Sequence, residues 1–110
     1  ILKKKGEFIH LRDIENLIIK CDFVAEVAAV SLEDELSDEK LHVYLSMKRK
    51  KNLNKNVQYL LKTIEKDLFK TEKPDKIIVV RKMPKTSSGK IIKQHLLFTL
   101  NENKIKEIIL

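Results

Sequence analysis

Pro84 Lys85 Thr86 Ser87 Ser88 Gly89 Lys90 sets a lysine at the end of a hydroxyl-rich loop, with one apolar run before it and another directly after. Pro84 has no N–H and ends the strand that precedes it, while Gly89 permits a tight or positive-φ backbone. Thr86, Ser87 and Ser88 favour turns and helix N-caps over continued sheet. A helix opening at about Ile91 would put Lys90 near its first turn, where free backbone N–H groups and the helix dipole attract anions. The loop therefore reads as a device for handling phosphate or carboxylate. A solvated turn capped by a serine has the same composition, and on these residues alone it is the commoner arrangement. A Walker phosphate loop is excluded, because its second glycine, five residues before Gly89, would fall on Pro84.

Working outward, the 110 residues suit one small domain with a single core. With 43% hydrophobic and 35% charged residues, and the apolar ones periodic, the chain should be globular. No apolar run approaches a membrane span, and no segment reads as a signal peptide. Cys21 is the single cysteine, so an internal disulfide and a cysteine-based metal cluster are both impossible, and a cytoplasmic setting is expected. His10, His42 and His95 show no ligand spacing, and no metal site is expected. The net charge of +7 raises the alternative of a basic nucleic-acid-binding module. Against it, lysines are spread with acids between them, the only short runs are Lys3 to Lys5 and Lys48 to Lys51, and aromatics for stacking make up 5%.

Periodicity predicts an α+β domain: a small sheet of about three strands covered by helices, preceded by a short N-terminal β-hairpin. Gly6 falls at or near the turn of that hairpin, between Ile1 and Leu11. Ile14, Leu17, Ile18 and Cys21 make one helical face, with Glu15 and Lys20 outward. A largely buried strand is expected over Phe23 to Leu32, interrupted only by Glu26, and an acidic loop over Glu33 to Lys40. Leu41, Val43, Leu45 and Met47 alternate as a half-exposed strand. A basic loop over Lys48 to Asn56, with Asn52 or Asn54 as cap, leads to a helix carrying Val57, Leu60, Leu61, Ile64 and Leu68. After Pro74, Ile77 to Val80 forms a short apolar strand. Ile91, Ile92, Leu96 and Leu100 are then expected on a helix, and Ile105, Ile108 and Ile109 on a last turn or two of helix or a docked tail.

Three separated features then agree. The order of elements, the segment Leu2 to Glu15 (LKKKGEFIHLRDIE) and the segment Met83 to Ile91 (MPKTSSGKI) together resemble the C-terminal domain of the adenylate-forming (AMP-binding) enzymes, most of all acyl-CoA synthetases. The first segment is similar to the family's hinge-proximal motif, and the second to its closing motif, proline, lysine, threonine, any residue, serine, glycine, lysine. The resemblance spans residues 1 to about 97.

That resemblance implies an acid–thiol ligase that joins a carboxylate to ATP as an acyl-adenylate and then passes the acyl group to coenzyme A. It implies that Lys90 is the catalytic lysine, assisted by the nucleotide loop Lys85, Thr86, Ser87, Ser88 and Gly89. It also implies that Lys5, Gly6, Glu7 and Phe8 form the loop facing the CoA channel during thioester formation. Phe8 stands where other members carry an arginine that meets a CoA phosphate. The expected partners are ATP or the acyl-adenylate, coenzyme A and an N-terminal domain of the same enzyme, which would hold Mg2+ with ATP. Residues 1–110 would then be a mobile lid domain, inactive alone. A peptide-synthetase adenylation lobe is the alternative within the superfamily.

Overall fold

Alternating apolar residues in four segments pair into one mixed sheet, and a separate two-stranded hairpin precedes it. The computed structural model describes residues 2–4, 7–33, 39–68 and 73–110. Strands β1 (Leu2–Lys4) and β2 (Glu7–Ile9) form the hairpin, with Lys4 opposite Glu7. Helix α1 (Leu11–Ile19) follows, then β3 (Val24–Glu33), β4 (Glu39–Met47), helix α2 (Leu53–Asp67) and β5 (Lys76–Val80). A four-residue helix α3 (Lys93–Leu96), a 3-10 turn (Asn101–Asn103) and β6 (Lys104–Ile109) complete the chain. The sheet order is β3-β4-β5-β6; β4 and β5 are parallel, joined through α2, and the outer pairs are antiparallel.

The strand period of two divides the core into two faces. Val43 and Leu45 of β4 and Ile77 and Val79 of β5 pack with Ile14 and Ile18 of α1 and Leu60 and Ile64 of α2. Their neighbours Tyr44, Ile78 and Val80 turn the other way and pack with Ala28, Val30, Met83 and Leu96. The second core lies under the Pro84 to Lys90 loop and α3, so the candidate site sits on the face opposite α1 and α2.

The α+β class and the N-terminal hairpin hold as expected, and several boundaries move. Glu33, Glu39 and Lys40 belong to strands, while residues 34–38 of the expected acidic loop lie outside the described residues. Helix α2 begins at Leu53, so Asn54 and Asn56 are inside it; Asn52 is its cap by backbone, at φ 59, without a side-chain cap bond. Asparagine tolerates that left-handed geometry better than most residues.

The C-terminal segment departs furthest. Ile105, Ile108 and Ile109 lie on a fourth strand of the sheet, β6, and not on a helix. Val80 pairs with Lys104 while Val79 pairs with Lys106, so Ile105 is an extra residue in a β-bulge. The bulge resets the alternation, and Ile105 and Ile108 both reach the core under α1 and α2 although they are three residues apart. That spacing imitates a helical face. The helix expected from Ile91 to Leu100 shrinks to α3 because Ile91 is bridged to Lys85 and Leu100 is extended, at φ −73 and ψ 148.

Candidate functional site

The Pro84 to Lys90 segment folds as a tight antiparallel loop. Lys85 and Ile91 form a β-bridge, Thr86 N–H donates to the Lys90 carbonyl at 2.8 Å, and Ile92 N–H donates to the Pro84 carbonyl at 2.9 Å. At the tip, Gly89 N–H donates to the Thr86 carbonyl at 3.0 Å, and Gly89 adopts φ +90. This is the bonding of a three-residue hairpin connection that needs a left-handed residue at its third position, which glycine supplies. The Thr86 hydroxyl accepts from the Lys90 N–H at 3.1 Å and lies 3.0 Å from the Ser88 hydroxyl. The hydroxyls thus brace the loop. Lys90 stands on the returning arm three residues before α3, and so is not in the first turn of a helix. A hairpin, and not a helix N-terminus, presents the lysine.

Below the tip, Met83 and Leu96 are buried and Ile91 packs against them, fixing the base of the loop to the second core. Lys85 through Lys90 are all exposed. Among the described residues Lys90 has no ion pair, whereas two neighbouring lysines do. Lys85 Nζ lies 2.5 Å from Glu26 Oε2, and Lys93 Nζ lies 2.9 Å from Glu15 Oε2. Glu15, expected to point into solvent, instead turns its carboxylate to the outer edge of β3, where it accepts from the Ala29 N–H at 2.8 Å. Lys93 also donates to the Ala29 carbonyl at 2.9 Å. These anchors escaped the sequence reading because the partners are far apart in the chain. One signal was present: Glu26 is the lone charged residue between Val24 and Leu32 of β3.

The expected CoA-channel residues divide. Lys5 and Gly6 lie outside the described residues, and Glu7 and Phe8 occupy β2, with backbones opposite Lys4 and Lys3. The structure brings Lys85, Thr86, Ser87, Ser88, Gly89 and Lys90 together in one loop. Cys21 is buried, and that burial pushes its thiol pKa up, which suits packing and not nucleophilic attack. Among the described residues no group of three His, Cys, Asp or Glu side chains converges as a metal site. No helix among them is long and apolar enough to cross a membrane.

The chain is 31% identical to acetyl-coenzyme A synthetase 1 of Kluyveromyces lactis, over 87% of this chain and 15% of that protein. It is 30% identical to acetyl-coenzyme A synthetase 1 of Candida albicans over the same shares. A fatty acyl CoA synthetase of Mycobacterium tuberculosis superposes with a TM-score of 0.70 at 27% identity, over 87% of this chain and 18% of that structure. The chain therefore spans about 15% of the length of these curated relatives. The profile of the AMP-binding enzyme C-terminal domain matches residues 13–90, from the first turn of α1 through the lysine that ends the loop. On that match, the chain belongs to the C-terminal domain family of the AMP-binding, adenylate-forming enzymes, and it is similar to the corresponding part of acyl-CoA synthetases.

Proposed function

We propose that this chain is the mobile C-terminal lobe of an ATP-dependent acid–thiol ligase, an acyl-CoA synthetase that activates a carboxylate as its adenylate and transfers it to coenzyme A. The observation that carries the proposal is the setting of Lys90. Its backbone is held by a bridged, hydroxyl-braced loop, and its ammonium is exposed with no ion pair among the described residues. A cation held in this way, and not neutralised by its own domain, suits an anion supplied by another. Beside the loop, Phe98 is 80% exposed and Leu100 is 64% exposed. Such apolar exposure suits a surface that closes on the larger N-terminal domain of the enzyme.

In the first half-reaction, a carboxylate oxygen attacks the α-phosphorus of ATP and pyrophosphate leaves. Both reactants are anionic, and Lys90 would hold the carboxylate against the α-phosphate while charge shifts between them. This is electrostatic positioning. Among the described residues no cluster of His, Cys, Asp or Glu side chains converges to hold a metal, and metal bound with ATP would belong to the N-terminal domain in this scheme. In the second half-reaction the lobe would turn, withdraw Lys90 and present the Gly6 loop to the incoming thiol. A cytoplasmic setting suits the buried, free Cys21 thiol.

The test is Lys90→Ala in the full-length enzyme. Removing one preorganised donor should cost about 3 kcal/mol in the adenylation step, lowering acid-dependent pyrophosphate exchange by at least about 100-fold. Near-normal exchange would reject the assignment.

A further inference from the structure

Lys93 and Glu15 close a ring around the backbone of one residue at the sheet edge. Ala29 is in β3, whose other side is paired with β4, so its outward N–H and C=O would otherwise be an open edge. Glu15 Oε2 takes the N–H at 2.8 Å, Lys93 Nζ takes the C=O at 2.9 Å, and the two charged groups meet at 2.9 Å. The ring joins three pieces of chain distant in sequence: the helix that follows the N-terminal hairpin, the edge strand, and the segment three residues beyond Lys90.

We propose that Glu15 and Lys93 are positioning residues for Lys90, holding the returning arm of the lysine loop against β3 so that the loop moves with α1 as one body. The inference rests on the assignment of Lys90 to adenylation. Three features support it. The loop's outgoing arm is fixed in the same way, through Lys85 to Glu26, also on β3. Both arms are therefore tied to one strand, and Lys90 lies between the ties. The second feature is that the connection from Lys90 to Lys93 carries no long helix that could hold the arm, since α3 has four residues. The third is the number of constraints. A half-exposed ion pair contributes little to stability by itself, but this one also engages both polar groups of a buried residue's backbone, which fixes where the lysine stem must lie.

The experiment uses the full-length enzyme with Lys93→Met, Lys93→Arg and Glu15→Gln. Lys93→Met should lower the kcat of acid-dependent pyrophosphate exchange roughly ten-fold or more, because loss of placement by about an ångström is costly in a preorganised site. KM for ATP and for the acid should change little, and thioester formation from preformed acyl-adenylate should stay near normal. Lys93→Arg should recover most of the loss, since a guanidinium reaches two acceptors at once. Glu15→Gln keeps an acceptor for the Ala29 N–H and should lose less than Lys93→Met. Amide exchange at Gly89 and Lys90 should quicken in Lys93→Met while the core strands stay protected.

Unchanged exchange kinetics in Lys93→Met would overturn the inference. So would a parallel fall of both half-reactions that follows the melting temperature, which is what a purely structural pair would give. Lys90→Ala, measured alongside, separates the two levels. If Lys90→Ala keeps adenylation, the functional assignment itself fails; if Lys90→Ala abolishes adenylation and Lys93→Met spares it, only the positioning role fails.

Discussion

Lys85 and Ile91 face each other across an antiparallel bridge, which forces the five residues between them to reverse the chain within a single tight turn. Gly89 makes that reversal possible at φ +90. A Cβ built there meets no heavy atom within 4 Å, so space is not the constraint. The penalty for Gly89→Ala is conformational, and should be about 1 to 2 kcal/mol of stability. Gly89→Asn should cost less, since asparagine visits the left-handed region more readily. Urea unfolding of the two variants checks the order, and equal stability of Gly89→Ala and wild type would mean that the turn can relax to another type.

The same loop shows what was legible in the sequence. Its residues, its turn and the lysine at its end follow from Pro84, Gly89 and the hydroxyls, because turn chemistry is local. The support beneath it was not legible, because Glu15 and Lys93 meet only over the edge of the folded β3, and Lys85 meets Glu26 only once β3 lies beside the loop. Local spacing also misled where a bulge intervened. Ile105 and Ile108 share one core only because an extra residue in β6 resets the alternation, and sequence periodicity alone cannot distinguish that from a helical face. The strong face of α2 and the alternation in β4 led to the right element types, but Leu68 lies just beyond the end of α2, and Tyr44 and Ser46 are buried too, so β4 is covered on both faces and not half-exposed.

Leu96 and Phe98 are two residues apart and should respond in opposite ways. Leu96 is fully buried against Val80, Met83 and Tyr44 on the loop side of the sheet, whereas Phe98 is 80% exposed. Leu96→Ala should cost about 2 to 5 kcal/mol by loss of burial plus a cavity. Phe98→Ser should change stability by less than about 0.5 kcal/mol. In the full-length enzyme, Phe98→Ser should nevertheless weaken adenylation if this side of the lobe closes on the N-terminal domain. Thermal melts and pyrophosphate exchange on the same two proteins separate packing from docking.

His42 makes stability depend on pH. It lies beside Lys76 on β5, and burial, then the nearby Lys76 charge, holds its pKa below the ordinary 6.5, with Asp75 and Glu107 opposing in part. A histidine with a depressed folded pKa takes up its proton more readily when the chain is unfolded. Its contribution to stability is thus fully present above about pH 6.5 and is lost as pH falls from there through the lower folded value. Glu107, held below its ordinary range mainly by its hydrogen bond to Lys76, acts in the same direction at lower pH. The melting temperature should fall between pH 7.5 and pH 5.5, and His42→Gln should flatten that slope. An unchanged slope in His42→Gln would assign the pH dependence to other groups.

Gly6→Leu should be the mirror image of Lys90→Ala. The resemblance assigns the two residues to different half-reactions, with Gly6, outside the described residues, facing the thiol channel where a side chain would obstruct the pantetheine arm. If the lobe presents its two motifs in turn, Gly6→Leu should leave pyrophosphate exchange near normal while thioester formation from preformed acyl-adenylate falls by about 100-fold or more, the scale of a misfitted transition state. Lys90→Ala should do the reverse. The crossed pattern requires that the domain fold normally in both variants, which circular dichroism checks. Equal loss of both half-reactions in Gly6→Leu would show a hairpin that serves the fold alone, and alternation of the two motifs would then have no support from this position.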